Sequence, residues 1–174
     1  MKYLVCGVDD ESYADSTVFD IVDSYKEAME ICISNIMHYF AIEECDKIEI
    51  KNGMEVKHVN YFGQASTKVS LSYSYGAFYV NYIIELPDNI NSSDYICIWH
   101  HAYDGVDFKI AKIGTFEECK YVMEEEARKV LDEIGKDLDD EDSYDWKELN
   151  QICIDTDTEW EVWDIVNIEE IIRK

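Results

Sequence analysis

The chain has 174 residues, 47% of them hydrophobic, with 39 acidic against 15 basic residues and a formal net charge of −24. That apolar content is enough for a packed core, so the acidity is not that of a disordered tail. A surface this negative excludes direct affinity for nucleic acid or anionic membrane, both of which need a basic face, and leaves a basic partner, a bound cation or plain solubility.

The charge is unevenly spread. Residues 117–170 hold 21 acids and 5 bases, so two-thirds of the net charge lies in the last third of the chain, unlike a uniform solubility coat. Lysine outnumbers arginine 13 to 2, isoleucine outnumbers leucine 21 to 6, and tyrosine reaches 13, a bias expected of an AT-rich genome such as a low-GC bacterium or its phage. Six cysteines show no CxxC pair; Cys6, Cys97 and Cys153 fall in strand-like runs and Cys32 and Cys119 on helical apolar stripes, as small buried hydrophobes do in a reducing compartment. Met1-Lys2 leads straight into a strand, and no apolar run has membrane-spanning length. The expected location is a bacterial host cytoplasm.

In chain order, Tyr3–Val8 reads as a strand, and Thr17–Asp23 as a second one after a polar connection. Ser24 and Glu27 form a capping box opening a helix whose apolar positions are Tyr25, Ala28, Cys32, Ile36 and Tyr39. Lys47–Ile50 and Met54–Val56 read as a hairpin about Asn52-Gly53. Lys68–Tyr75 and Phe78–Leu86 form a tyrosine-rich hairpin around Gly76, closed by the sole proline, Pro87. Asp88–Ser93 resembles a linker. Ile96–Tyr103 and Val106–Ile113 then pair about Asp104-Gly105. Thr115 and Glu118 form a second capping box, and its helix carries Phe116, Cys119, Met123, Ala127, Val130 and Ile134 on one stripe, with Glu117, Glu118, Glu124, Glu125 and Glu126 assigned to the other face. After Gly135 comes an acidic run to Asp145, then a strand at Gln151–Ile154 and a tail, Trp160–Ile172, that reads as a strand or as a strand passing into a short final helix.

The two helices repeat at an offset of 91 residues, capping boxes included, and Tyr3-Leu4-Val5 matches Tyr95-Ile96-Cys97 with a one-residue slip. Downstream, Lys47–Ile50 and Met54–Val56 match Gln151–Ile154 and Thr158–Trp160 at an offset of 104. The expectation is an α+β fold of two pseudo-repeated β-β-α-β-β units on antiparallel sheet: residues 1–66, a connecting tyrosine-rich hairpin and linker at 67–93, and residues 94–174 with an acidic insertion at 136–148, all within one fold.

Chemistry-bearing patterns are few. On the strand Tyr95–His101, Cys97, Trp99 and His101 share one face and His100 takes the other, so His101 with Asp104 or Asp107 is the candidate histidine–carboxylate pair, for a small hydrolase or a metal site. Adjacent histidines point apart on a strand and cannot both face one ion. An EF-hand register places ligands at Asp137, Asp139, Glu141, Ser143, Asp145 and Glu148, but Asp142 occupies the position that needs glycine and no helix follows. No phosphate cradle, nucleophile elbow or HExxH is present, so no catalytic residue, metal or cofactor is assigned.

What remains is the charge. Glu117, Glu118, Glu124, Glu125, Asp137, Asp139, Asp140, Glu141, Asp142 and Asp145 are expected to present it, with Tyr144 and Trp146 as interface anchors. The functional expectation is a non-enzymatic binder of the basic surface of a nucleic-acid-binding protein such as a CRISPR or restriction nuclease. It would act as a nucleic-acid mimic of the anti-CRISPR or anti-restriction type from a phage or mobile element. The alternative is a housekeeping interaction or regulatory domain whose contacts use the tyrosine-rich hairpin or the sheet, a homodimer through that sheet being one form.

Overall fold

The computed structural model describes residues 1–9, 18–40, 53–61, 63–72, 78–102, 106–137, 143–144, 146–156 and 160–172. The chain divides into two compact units, Met1–Asn89 and Ile90–Arg173. The first runs β1 (Lys2–Asp9), β2 (Val18–Val22), α1 (Tyr25–Tyr39), β3 (Glu55–Tyr61), β4 (Gln64–Ser72) and β5 (Phe78–Leu86). The second runs β6 (Tyr95–Ala102), β7 (Val106–Gly114), α2 (Phe116–Ile134), β8 (Trp146–Lys147), β9 (Gln151–Asp155), β10 (Trp160–Asn167) and a short α3 (Ile168–Ile172).

Both sheets are antiparallel and have the same topology, β2-β1-β5-β4-β3 and β7-β6-β10-β9-β8. The α+β class and the paired units therefore stand, each with one strand more than the sequence repeat implied. In the first unit the tyrosine-rich hairpin supplies β4 and β5, and in the second the strand not expected from sequence is β8. The hairpin is no connector between units: β4 and β5 lie inside the first sheet, where β5 is central and pairs with β1 through Leu4↔Ile84 and Cys6↔Tyr82.

Two further expectations are corrected. Glu55 and Val56 open β3, whose partner is β4, and Gly63, just before β4, takes a φ of +82° that few residues tolerate. Lys47–Ile50 and Asn52 lie outside the described residues. The true counterparts of β3, β4 and β5 are β8, β9 and β10, so the offset of 104 joined non-equivalent strands. With the strands in register, the connection 135–145 between α2 and β8 is shorter than the connection 40–54 between α1 and β3, and the second unit has no insertion at 136–148.

Each unit is organised by its helix. Ser24 caps α1 by accepting from the Glu27 amide, and Thr115 and Glu118 form a complete capping box on α2. Gly135 closes α2 in the left-handed conformation, at φ 72°. Ala28, Cys32 and Ile36 of α1 pack with Val5, Val69, Tyr79 and Ile83; Cys119, Met123, Ala127 and Leu131 of α2 pack with Cys97, Trp99, Ile152 and Trp163. The α2 row thus continues in steps of four to Leu131, while Ile134, expected on the stripe, is 37% exposed. At the head of each helix an aromatic pair meets edge-on, Tyr3 with Tyr25 at 5.9 Å and Tyr95 with Phe116 at 5.4 Å, the two interplanar angles being 73° and 72°. The repeat therefore extends to side-chain geometry.

The central strands are apolar on both faces, since Leu4, Cys6, Val80 and Tyr82 are as buried as Val5 and Ile83. This explains why Tyr3–Val8 reads as a continuous apolar run rather than an alternating one.

Loss of the α2 cap is expected to cost about 1 kcal/mol of unfolding free energy in Thr115→Ala, read by chemical denaturation. The Thr115 backbone N–H, then its hydroxyl, then Lys112 hold the exposed Glu118 carboxyl below the usual glutamate range. A lowered folded value means that this contribution is complete above the ordinary glutamate pKa and vanishes as pH falls through the lowered one. The charge-dependent part of the gap between Glu118→Gln and the parent chain should therefore be present at neutral pH and close below about pH 4.

Candidate functional site

The helix-covered face of the second sheet carries two adjacent cross-strand rows, Asp107–His101–Glu161 and Lys109–Trp99–Trp163, drawn from β7, β6 and β10. Alternation along β6 is as expected: Cys97, Trp99 and His101 face α2, and His100 faces away. From α2, Glu126 reaches into the second row. One of its carboxylate oxygens accepts from the Trp163 indole at 3.0 Å, and the other lies 2.9 Å from Lys109 Nζ. The Lys109 ammonium also sits 5.2 Å from the centre of the Trp99 ring, and the Trp99 indole donates to the Glu161 carboxylate. Two indole N–H groups and one ammonium thus meet two carboxylates beside a closed core, which satisfies polar atoms that burial would otherwise make costly.

His101 stands at the open end of this cluster. Its Nε2 is 3.7 Å from Asp107 Oδ2, with the Trp99 ring edge-on at 5.3 Å, and both polar side chains are partly exposed. The separation exceeds hydrogen-bond length, so the contact is an ion pair only when the imidazole is protonated. Asp104 lies outside the described residues. The thiol nearest in sequence on this face, Cys97, is fully buried, and desolvation pushes its pKa far up, so it is no nucleophile. His100 is entirely buried on the other face, 3.6 Å from an Asp164 oxygen, while the second Asp164 oxygen accepts from Gln151 at 2.5 Å. Among the described residues no three His, Cys, Asp or Glu side chains converge as metal ligands. Among the described residues, neither a low-pKa thiol nor a third metal-ligating side chain stands beside the His101–Asp107 pair.

Glu126 had been assigned to the solvent face. It occupies instead the flank of the apolar row, three residues after Met123 and one before Ala127, and that spacing was the available signal. The first unit has a polar contact at the corresponding place: Asn35 of α1 donates to Asn81 of β5 at 3.0 Å, and Asn81 reaches the Cys32 carbonyl at 3.4 Å. In both units, then, one polar side chain on the helix grips the strand that lies next to the first.

The expected interface residues divide as follows. Glu117 and Glu118 are exposed on α2, and Glu124 and Glu125 are partly exposed. Glu118 is held in the capping box and near Lys112, Glu124 lies 3.9 Å from Lys120, and Glu125 lies 3.8 Å from Arg128. Such surface pairs hold little energy and open readily. Asp137 is described and exposed, and its amide donates to the buried Ser143 hydroxyl at 3.2 Å. Asp139, Asp140, Glu141, Asp142, Asp145 and the Trp146 side chain lie outside the described residues. Tyr144 is partly buried against the α2 core, with the Lys147 ammonium 4.8 Å from its ring centre, so much of its surface is already used. The aromatic that α2 does present is Tyr121, 64% exposed among the carboxylates and not singled out from sequence. The EF-hand register loses its second helix, because the segment after Glu148 enters β9.

Replacing Glu126 by alanine strips the buried Trp163 indole of its acceptor and should cost about 2 kcal/mol on urea unfolding, whereas Glu126→Gln keeps an acceptor and should cost clearly less. A second expectation concerns the thiols. Burial pushes Cys32 up to about 12 and raises Cys97 and Cys119, so the described cysteines should resist a thiol reagent at pH 8 until the chain is unfolded.

No family model, no curated protein and no solved structure matches this chain.

Proposed function

We propose that this chain is a non-enzymatic acidic binding protein that docks on the basic surface of a nucleic-acid-binding protein, in competition with the nucleic acid. The observation that carries the reading is the concentration of net charge −16 in residues 117–170, part of it on the solvent side of α2 around Tyr121. Gathering like charge into so short a stretch costs the folded state self-repulsion, and a basic partner relieves it. Carboxylates three and four residues apart on a helix stand roughly 5–6 Å from one another, a spacing suited to lysines and arginines that otherwise hold phosphates. The histidine–carboxylate pair at His101 supports catalysis less well, because among the described residues neither a low-pKa thiol nor a set of three metal-ligating side chains accompanies it. A composition of AT-rich character favours a phage or mobile-element inhibitor of a defence nuclease, of the CRISPR or restriction kind, as the setting.

The test uses charge reversal. Tagged protein is used to capture partners from a low-GC bacterial lysate at about 0.1 M salt, where exposed charges are only partly screened. A nucleic-acid-binding protein should be retained, and should be released at about 0.5 M salt or by added DNA or RNA. Combined replacement of Asp139, Asp140, Glu141 and Asp142 by lysine should abolish that capture without lowering the melting temperature. Capture that survives the reversal, or that resists both salt and nucleic acid, overturns the reading.

A further inference from the structure

The first unit contains a concavity of about 430 Å³ on the helix side of its sheet, close to the start of α1. Its position follows from topology. α1 packs mainly on β1 and β5, so the edge strand β3 stands clear of the helix and forms a far wall. Tyr3 and Tyr25 form the near wall, Thr67 and Ile83 lie in the floor, and His58 and Glu85 flank it. The second unit has no equivalent wall, because the counterpart of β3 is the two-residue β8.

The chemistry of the lining is specific. Tyr3 and Tyr25 meet edge-on, and Tyr25 remains 38% exposed, so an aromatic surface is available. Glu85 is opposite Tyr3 across the β1–β5 ladder and is exposed, and no described cation pairs with it. The His58 Nδ1 is 3.1 Å from the Thr67 hydroxyl, which fixes the imidazole. Two tyrosine rings beside an uncompensated carboxylate favour a planar cation, which can lie against an aromatic ring while donating two hydrogen bonds to the carboxylate. Guanidinium fits this better than ammonium, since its fork matches the carboxylate and it is more weakly hydrated. A net charge of −24 raises the local concentration of any such cation. The volume lies within the range of small-ligand sites and exceeds one side chain, leaving room for the flanking backbone of a peptide.

We infer that this concavity is a binding site for an arginine side chain on a peptide segment, with Glu85 as the ion-pairing group and Tyr3 and Tyr25 as the stacking surface. It is separate from the acidic face proposed above and does not depend on that reading.

The probe is an end-blocked Gly-Arg-Gly peptide, titrated into the isotopically labelled full chain and followed by amide chemical shifts. Saturable shifts are expected at Tyr3, Tyr25, Thr67 and Glu85. The same peptide with neutral citrulline in place of arginine should bind at least tenfold more weakly, as should the parent peptide to Glu85→Gln, whose exposed position leaves the fold intact. Tyr25→Leu should weaken binding as well, separating ring stacking from charge alone. The inference is overturned if citrulline binds equally, if Glu85→Gln leaves the affinity unchanged, or if the arginine peptide shifts only amides along α2. Those outcomes leave the charge-reversal test of the acidic face untouched.

Discussion

Each unit depends on one contact: a single helix laying a narrow row of small and medium side chains on a five-stranded antiparallel sheet. Alanine and cysteine at Ala28, Cys32, Cys119 and Ala127 let the helix approach closely, and every one of them is fully buried. Among the described residues one long helix packs on each sheet, and a polar side chain beside its row fixes its rotation, Asn35 on Asn81 in one unit and Glu126 on Trp163 in the other. A misrotated helix would leave those groups buried without partners, which is costly. The charged groups kept under α2, Glu126 and Lys109, are paired with each other.

The repeats fill the same frame differently. At the position where the second unit carries Trp99, the first has Gly7, and a Cβ there would run into the Tyr79 hydroxyl. In the first unit the space beside Gly7 is taken by the Tyr79 side chain of β5. The second unit spends the space on indoles held by carboxylates; the first opens a concavity lined by Tyr3, Tyr25 and Glu85 beside a longer edge strand. The two units share one scaffold and differ in what this face carries.

Much of this was legible in sequence. The capping boxes, the spacing of the helical stripes and the offset of 91 all follow from local rules, and they located both helices and the duplication. The alternation on β6 separated His100 from His101 correctly. Strand assignment was less successful for physical reasons. β3 is an exposed edge strand with Val56 46% exposed, so it carries no buried alternation, and Asn52-Gly53 gives a hairpin signal just ahead of it that misplaces its register. That error created the apparent insertion at 136–148. Glu126 was lost because a carboxylate on the border of an apolar row looks solvent-facing until the lysine and indole that meet it are known, and both come from strands distant in sequence. Tyr144 reads as an exposed anchor in so acidic a segment, yet its ring is half consumed by the core.

The functional account rests on charge maintained at the expense of folding stability, and this is directly measurable. Urea unfolding of the whole chain, compared between about 0.02 M and 0.5 M sodium chloride, reports how much self-repulsion the folded state carries, since salt screens exposed charges. The account predicts a midpoint that climbs steadily with salt at constant slope. A midpoint that is flat or falls would show that the carboxylates are already balanced within the fold, and would contradict a surface held ready for a basic partner.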